Sequence, residues 1–143
     1  MDFWGESVGV IALDSFVILD RNVLVGLRGD LEEEFANVLE VSLQAMTERA
    51  LAARDAIARQ QVAFVRTAAH QIKSNSRQLG AMRVGRVAEQ LEKLAATVPP
   101  PDLREWGGVL VDEVALANRE ILDFVASLPG EFAMPEAESV RDP

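Results

Sequence analysis

The sequence predicts an all-α protein, an antiparallel up-and-down four-helix bundle preceded by a short extra N-terminal helix. Aromatic residues make up only 6% of the chain and there is no Tyr, a composition that favours packed helices over sheets. Apolar residues recur at intervals of three and four, which is the period of a helix with one buried face. Gly and Pro cluster at a few points that divide the chain into segments of helical length.

The extra helix is predicted within residues 15–27, which are apolar enough to cover one end of the bundle. Four longer helices are predicted over about 31–58, 62–78, 82–97 and 103–127. Two acidic pairs, Asp30 with Glu33 and Asp102 with Glu105, have the spacing of an N-cap residue followed by an acid in the first turn. They predict helix starts at these two points.

The turn near residues 59–61 is predicted from length alone, because no Gly or Pro lies between residues 30 and 79. A single helix of that length would be too long for a domain of this size. Each of the four long segments has one apolar face. These faces comprise Phe35, Val38, Leu39, Met46, Ala50, Ala53 and Ile57; Val65, Ala68, Ala69, Ile72 and Leu79; Val84, Val87, Ala88, Leu91, Leu94, Ala95 and Val98; and Leu103, Trp106, Leu110, Val114, Ala117, Ile121, Val125 and Leu128. One-sided helices with short connections predict an antiparallel bundle.

The bundle is assigned to residues 15–128, with residues 1–14 as an N-terminal extension and residues 129–143 as a disordered, polar tail. We expect neither a signal peptide nor a membrane span, since Asp2 and Glu6 stand in place of a basic leader and no long apolar run follows. The absence of Cys fits a protein held together by its core alone, and a cytoplasmic location is expected.

The charge of the chain is unevenly distributed. Its net charge of -9 argues against general nucleic-acid binding, because a phosphate backbone repels an acidic surface. Residues 56–88 nevertheless contain no acid and six bases, which are Arg59, Arg66, Lys73, Arg77, Arg83 and Arg86. Two interpretations are open: a solvated helix face whose arginines pair with acids on neighbouring helices, or a docking surface for an anionic group or an acidic partner.

The only histidine, His70, lies within this basic stretch. At 100° per residue it falls within about 60° of Arg66, Lys73 and Arg77 and on the side opposite the apolar stripe of its helix. His70 is therefore expected to point toward solvent. With one His and no Cys, only a carboxylate-dominated metal site would be feasible, and no metal site is predicted.

The stretch HQIKSNSRQLGA, residues 70–81, resembles the signature of histidine-containing phosphotransfer (Hpt) domains. That signature has His, any residue, an aliphatic residue, Lys, Gly and two small residues, and it ends in Leu-Gly-Ala. An aliphatic residue, a small residue and a Leu-Glu or Leu-Gln pair follow on the next helix. The matching residues are His70, Ile72, Lys73, Ser76, Leu79, Gly80, Ala81, Val84, Ala88, Leu91 and Glu92. The likeness spans about residues 15–127, with specific motifs only between 66 and 92. Ser74 replaces the usual Gly, and Asn75 replaces a smaller residue.

The resemblance implies a phosphorelay intermediate. His70 would accept a phosphoryl group from the aspartyl phosphate of one receiver domain and pass it to another. Lys73 would neutralise phosphate oxygens, and Glu92 would accept the Nδ1 hydrogen of the imidazole and so fix the ring. The residues expected to contact the partner are Arg66, Ser74, Arg77 and Gly80. The implied partners are receiver domains of hybrid sensor kinases and response regulators.

The chain has no GxxxxGK[ST] phosphate loop, so we expect a phosphoryl carrier and not an ATP-dependent kinase. No cofactor is expected, and the Mg²⁺ needed for aspartyl chemistry would come with the receiver. The protein is expected to be a monomer. Two alternatives remain open: a non-catalytic helical bundle that binds or sequesters a signalling partner, and an oligomerisation bundle in which Phe3 and Trp4 pack against another subunit.

Overall fold

The computed structural model describes residues 12–129. Its five α-helices are α1 (Arg21–Leu31), α2 (Phe35–Ala58), α3 (Val62–Leu79), α4 (Met82–Ala95) and α5 (Arg104–Ser127), and no strand occurs within 12–129. Helices α2 to α5 pack in a ring in which each contacts the next and α5 closes against α2, while α1 lies against α2 and α3. The predicted four-helix bundle with a short extra N-terminal helix is confirmed. None of the described helices is long and apolar enough to cross a membrane.

The core lies between the four long helices and matches the predicted apolar faces closely. Trp106 and Phe35 are its largest fully buried side chains, and α1 contributes the fully buried Leu24. Val38 is the main exception, since its side chain is 37% exposed. It lies at the edge of the α2 stripe, where a period of three and four residues does not distinguish the core from its rim.

The predicted start of α2 at residue 31 is wrong. Helix α1 continues through Gly29 and Asp30 to Leu31, Glu32 then takes a φ of 52°, and a short 3-10 turn at Glu32–Glu34 precedes Phe35. Asp30 therefore caps no helix. The residue that caps α1 is Asp20, whose carboxylate accepts a hydrogen bond of 3.1 Å from the Asn22 backbone N–H. Burial of Leu24 and its apolar neighbours offsets the cost of two glycines inside α1.

The predicted cap at Asp102 is also wrong. The proline run forms a 3-10 turn, Pro100–Leu103, and α5 begins at Arg104 without a side-chain cap. Prolines fix φ and have no amide hydrogen, so this turn needs no capping side chain. The turn predicted near 59–61 is confirmed, because α2 ends at Ala58 and α3 begins at Val62. Most of the predicted extension and tail, residues 1–11 and 130–143, lies outside the described residues.

The turn between α3 and α4 depends on Gly80. Its φ of +80° is left-handed, and a Cβ placed there would lie 2.5 Å from the backbone oxygen of Asp20. The Gly80 carbonyl accepts a hydrogen bond of 2.7 Å from the Asp20 backbone N–H. This close approach attaches the start of α1 to the bundle and requires a residue without a side chain.

Candidate functional site

His70 lies on the exposed face of α3. The opposite face of this helix is anchored in the core by Val65, Ala68 and Ile72, all of which are buried. The imidazole side chain is 61% exposed. The orientation expected from the helical wheel is therefore confirmed, and the ring is open to a partner from solvent.

Glu92 on α4 contacts the imidazole, with 3.0 Å between Glu92 Oε2 and His70 Nδ1. Helices α3 and α4 come close because Gly85 faces Ser76, where a Cβ would lie 3.1 Å from the Ser76 Oγ. A neutral imidazole that donates a hydrogen bond from Nδ1 to a carboxylate has its lone pair on Nε2. The contact thus selects the tautomer in which Nε2 is the nucleophilic nitrogen.

Lys73 binds the other oxygen of the same carboxylate, with 2.9 Å between its Nζ and Glu92 Oε1. The three side chains thus form one cluster on adjacent helices. Partial burial acts to raise the pKa of the Glu92 carboxyl, but hydrogen bonds from Lys73 and His70 outweigh it and hold the pKa below its ordinary value of 4.5. The carboxylate is therefore ionised at neutral pH and available to hold the imidazole.

Most of the basic stretch is neutralised within the protein. Ion pairs of 4.0 Å or less join Arg59 to Asp55, Lys73 to Glu92, Arg77 and Arg86 to Glu89, and Arg83 to Glu113. Of the two interpretations left open by the sequence, pairing with acids describes five of the six bases. Arg66 is different, because no acidic side chain of residues 12–129 pairs with it.

A shallow groove runs beside the imidazole. It is lined by Ala63, Arg66, Thr67, His70, Gln71 and Glu92. Thr67 and Gln71 were missed by the sequence reasoning, although their positions three residues before and one residue after His70 place them at its flank. Within residues 12–129, no cluster of three potential metal ligands is found.

The residues predicted to contact the partner are in different environments. Arg66 and Ser74 are exposed on the His70 side of α3. Arg77 is exposed but bound to Glu89 at 3.3 Å. Gly80 is buried beneath Asp20 and Val23, so its position serves the turn and not a docking surface. Asn75, the second departure from the signature, donates a hydrogen bond of 3.2 Å to the Ser42 carbonyl oxygen of α2.

A protein-family model, the Hpt domain, matches residues 37–124. The chain belongs to the Hpt domain family. The matched region contains the histidine cluster and most of the four-helix bundle, from early α2 to late α5. Members of this family carry out histidine phosphotransfer in phosphorelays, with receiver domains as partners.

The Hpt fold is also found in a solved structure. The crystal structure of histidine-containing phosphotransfer protein B (HptB) from Pseudomonas aeruginosa PAO1 matches with a TM-score of 0.65 and 21% sequence identity. The match covers 78% of this chain and 97% of that one. At this identity the likeness shows the fold alone. A comparison with curated protein sequences gave no match.

Proposed function

We propose that this Hpt domain is a phosphoryl carrier in a multistep two-component phosphorelay, with His70 as the carrier residue. One observation carries the proposal: the exposed imidazole of His70 has its Nδ1 bound to the Glu92 carboxylate at 3.0 Å. This arrangement leaves a solvent-facing nucleophilic nitrogen on a rigid helix. Family membership supports the same activity.

In the proposed transfer, the Nε2 lone pair attacks the phosphorus of a receiver aspartyl phosphate. A P–N bond forms while the P–O bond to the aspartate breaks, and the electron pair stays with the leaving carboxylate. The proton on Nδ1 remains in place, so the ring becomes a phosphorylated imidazolium whose positive charge Glu92 stabilises. Transfer to a second receiver reverses these bond changes. Mg²⁺ is expected on the receiver alone.

Lys73 is proposed to stabilise the charge on the transferring phosphoryl oxygens. Its ammonium group is held beside the imidazole by Glu92, and only one of its three N–H donors is needed for that bond. A cation held in position before the reaction requires no reorganisation when charge moves from the aspartate to the imidazole. The proposed partners are receiver domains of hybrid sensor kinases and response regulators, which Ser74 and Arg77 would contact.

The proposal is tested by mixing the protein with a phosphorylated receiver domain and assaying for acid-labile, base-stable phosphate on the Hpt chain. Transfer to the wild type is expected, and none to His70→Gln. If no cognate receiver transfers phosphate to the wild type, the non-catalytic interaction bundle is favoured instead. Size-exclusion chromatography tests the expected monomer against the oligomerisation bundle.

Replacing Lys73 with Ala should slow transfer by at least roughly tenfold while leaving helicity unchanged, because one preorganised charge is lost next to the phosphoryl group. The matched control is Lys93→Ala. Lys93 is 69% exposed and lies 4.0 Å from Glu89, outside the histidine cluster. Stopped-flow or quench-flow rates measure the effect. Equal rates for the two variants would show that Lys73 has no part in transfer.

A further inference from the structure

Arg66 lies one helical turn before His70 and lines the same groove. Within residues 12–129 it has no acidic partner, whereas the other five bases of residues 56–88 each pair with a carboxylate. An arginine without a partner beside a nucleophile is a guanidinium whose donors are free to bind an incoming anion.

The direction of the imidazole places its reactive nitrogen on the Arg66 side. Side chains on a helix lean toward its N-terminus, so the ring of His70 covers the turn that contains Arg66 and Thr67. Nδ1 is held toward α4 by Glu92. Nδ1 and Nε2 flank the same ring carbon, Cε1, and their outward directions diverge widely, so a ring whose Nδ1 faces Glu92 turns Nε2 away from that carboxylate, and the imidazole lines the groove.

The groove has room and donors for a phosphoryl group. Ala63, one turn before Arg66 and Thr67, lines the groove with a single methyl group, which takes up little room. Thr67 has a hydroxyl that can donate a hydrogen bond. The only acidic residue lining the groove is Glu92, whose oxygens are bound by His70 and Lys73.

We propose that Arg66 binds the phosphoryl group carried on Nε2 of His70, with Thr67 as a second donor. The inference rests on the proposed function. Lys73 would approach the phosphoryl group from the α4 side and Arg66 from the groove. A phosphoryl group carries a charge of about -1.5 to -2 at neutral pH, and a guanidinium can bind two of its oxygens at once. Arg66 would then be a phosphoryl-binding residue and not only a docking residue.

The experiment uses phosphoramidate, a small phosphodonor, so that no receiver has to dock. Nucleophilic attack by Nε2 on its phosphorus forms the P–N bond and releases ammonia. The formation rate of phosphohistidine and the pH titration of its ³¹P resonance are measured on the full chain. The variants are Arg66→Gln and Arg66→Lys, with Arg59→Gln as the matched control. Arg59 is exposed, pairs with Asp55 and lies outside the groove.

Arg66→Gln is expected to lower the rate of phosphohistidine formation by about tenfold, which corresponds to the free energy of one charge-assisted hydrogen bond. It should also move the ³¹P titration midpoint to higher pH, because loss of the adjacent cation favours the protonated phosphoryl group. Arg66→Lys should restore part of both effects, and Arg59→Gln should match the wild type. If Arg66→Gln slowed the reaction only by perturbing the fold, the midpoint of the ³¹P titration would stay the same as in the wild type.

Two results would overturn the inference. If Arg66→Gln matches the wild type with phosphoramidate and slows only transfer from a receiver, Arg66 acts in docking alone. If it matches the wild type in both assays, Arg66 has no role at the site. Either result leaves the proposed function intact, since the wild type is phosphorylated. A wild type that neither phosphoramidate nor any receiver phosphorylates on His70 would overturn both.

Discussion

The Glu92 carboxylate holds two side chains at once, the imidazole of His70 at 3.0 Å and the ammonium of Lys73 at 2.9 Å. Its place in the Leu-Glu pair that follows the Leu-Gly-Ala motif implied, through the Hpt resemblance, that it would bind the imidazole. The sequence did not predict that Lys73 would bind the same carboxylate, because that contact depends on how closely α3 and α4 approach. Gly85 facing Ser76 sets this distance, and neither residue had been assigned that role.

Glu92 should make stability depend on pH in a defined direction. Its pKa is lower in the folded protein than its ordinary value of 4.5, so the unfolded chain binds the proton more tightly. The stabilisation from this carboxylate is therefore complete above that value and is lost as the pH falls through the folded pKa. The difference in free energy of unfolding between the wild type and Glu92→Gln should shrink as the pH is lowered below 4.5 and through the folded pKa of Glu92.

Urea unfolding at several pH values measures this difference. Glu33→Gln is the control, because it changes an exposed glutamate in the turn before α2. A difference between the wild type and Glu92→Gln that stays the same from neutral to acidic pH would contradict the assigned ion pairs.

At the scale of the elements, apolar periodicity predicted α3 and α4 to within two residues at each end, because their stripes are one-sided and Gly80 separates them. The two capping signals were wrong, although the predicted start of α5 at residue 103 lies within one residue of Arg104. An acid that follows a glycine, such as Asp30, can cap a helix or lie inside one. The decision depends on whether Leu24 and Leu31 find a core to pack against, which only the tertiary structure shows.

The turn at Gly80 gives a test at this scale. Gly80→Ala should lower the free energy of unfolding by about 1–3 kcal/mol, because it forces a left-handed φ on alanine and pushes a methyl group against Asp20. Gly26→Ala is the control: it lies inside α1 with no heavy atom within 4 Å of the added Cβ, and it should stabilise by up to about 1 kcal/mol. Thermal unfolding distinguishes the two. Equal shifts for both variants would contradict the packing of α1 against this turn.

For the whole molecule, three of the six bases of residues 56–88 join neighbouring helices, since Lys73 and Arg77 pair with α4 and Arg83 pairs with α5. Arg83 on α4 and Glu113 on α5 form the most buried pair, at 2.8 Å and 3.0 Å, with side chains 14% and 9% exposed. These residues are thirty positions apart, so the sequence alone left pairing and partner docking equally open. Because five of the six bases pair with carboxylates, the positive segment of residues 56–88 leaves little unpaired positive charge.

Removing Arg83 should destabilise the fold, because the nearly buried carboxylate of Glu113 loses the guanidinium that neutralises it. Arg83→Met should lower the free energy of unfolding by roughly 3 kcal/mol. Arg59→Met, which breaks the exposed pair with Asp55, should cost less than about 1 kcal/mol. Chemical denaturation of both variants measures the contrast. Similar losses would indicate that the Arg83 pair is solvated and not structural.

The assignment of His70 as the carrier can be tested on a single imidazole ring. Because the chain has only one histidine, ¹⁵N-histidine labelling gives one imidazole to observe. After phosphorylation, we expect a ³¹P–¹⁵N coupling at Nε2 while Nδ1 keeps its proton and its bond to Glu92. Phosphate that attaches elsewhere, or a coupling that appears at Nδ1, would contradict it.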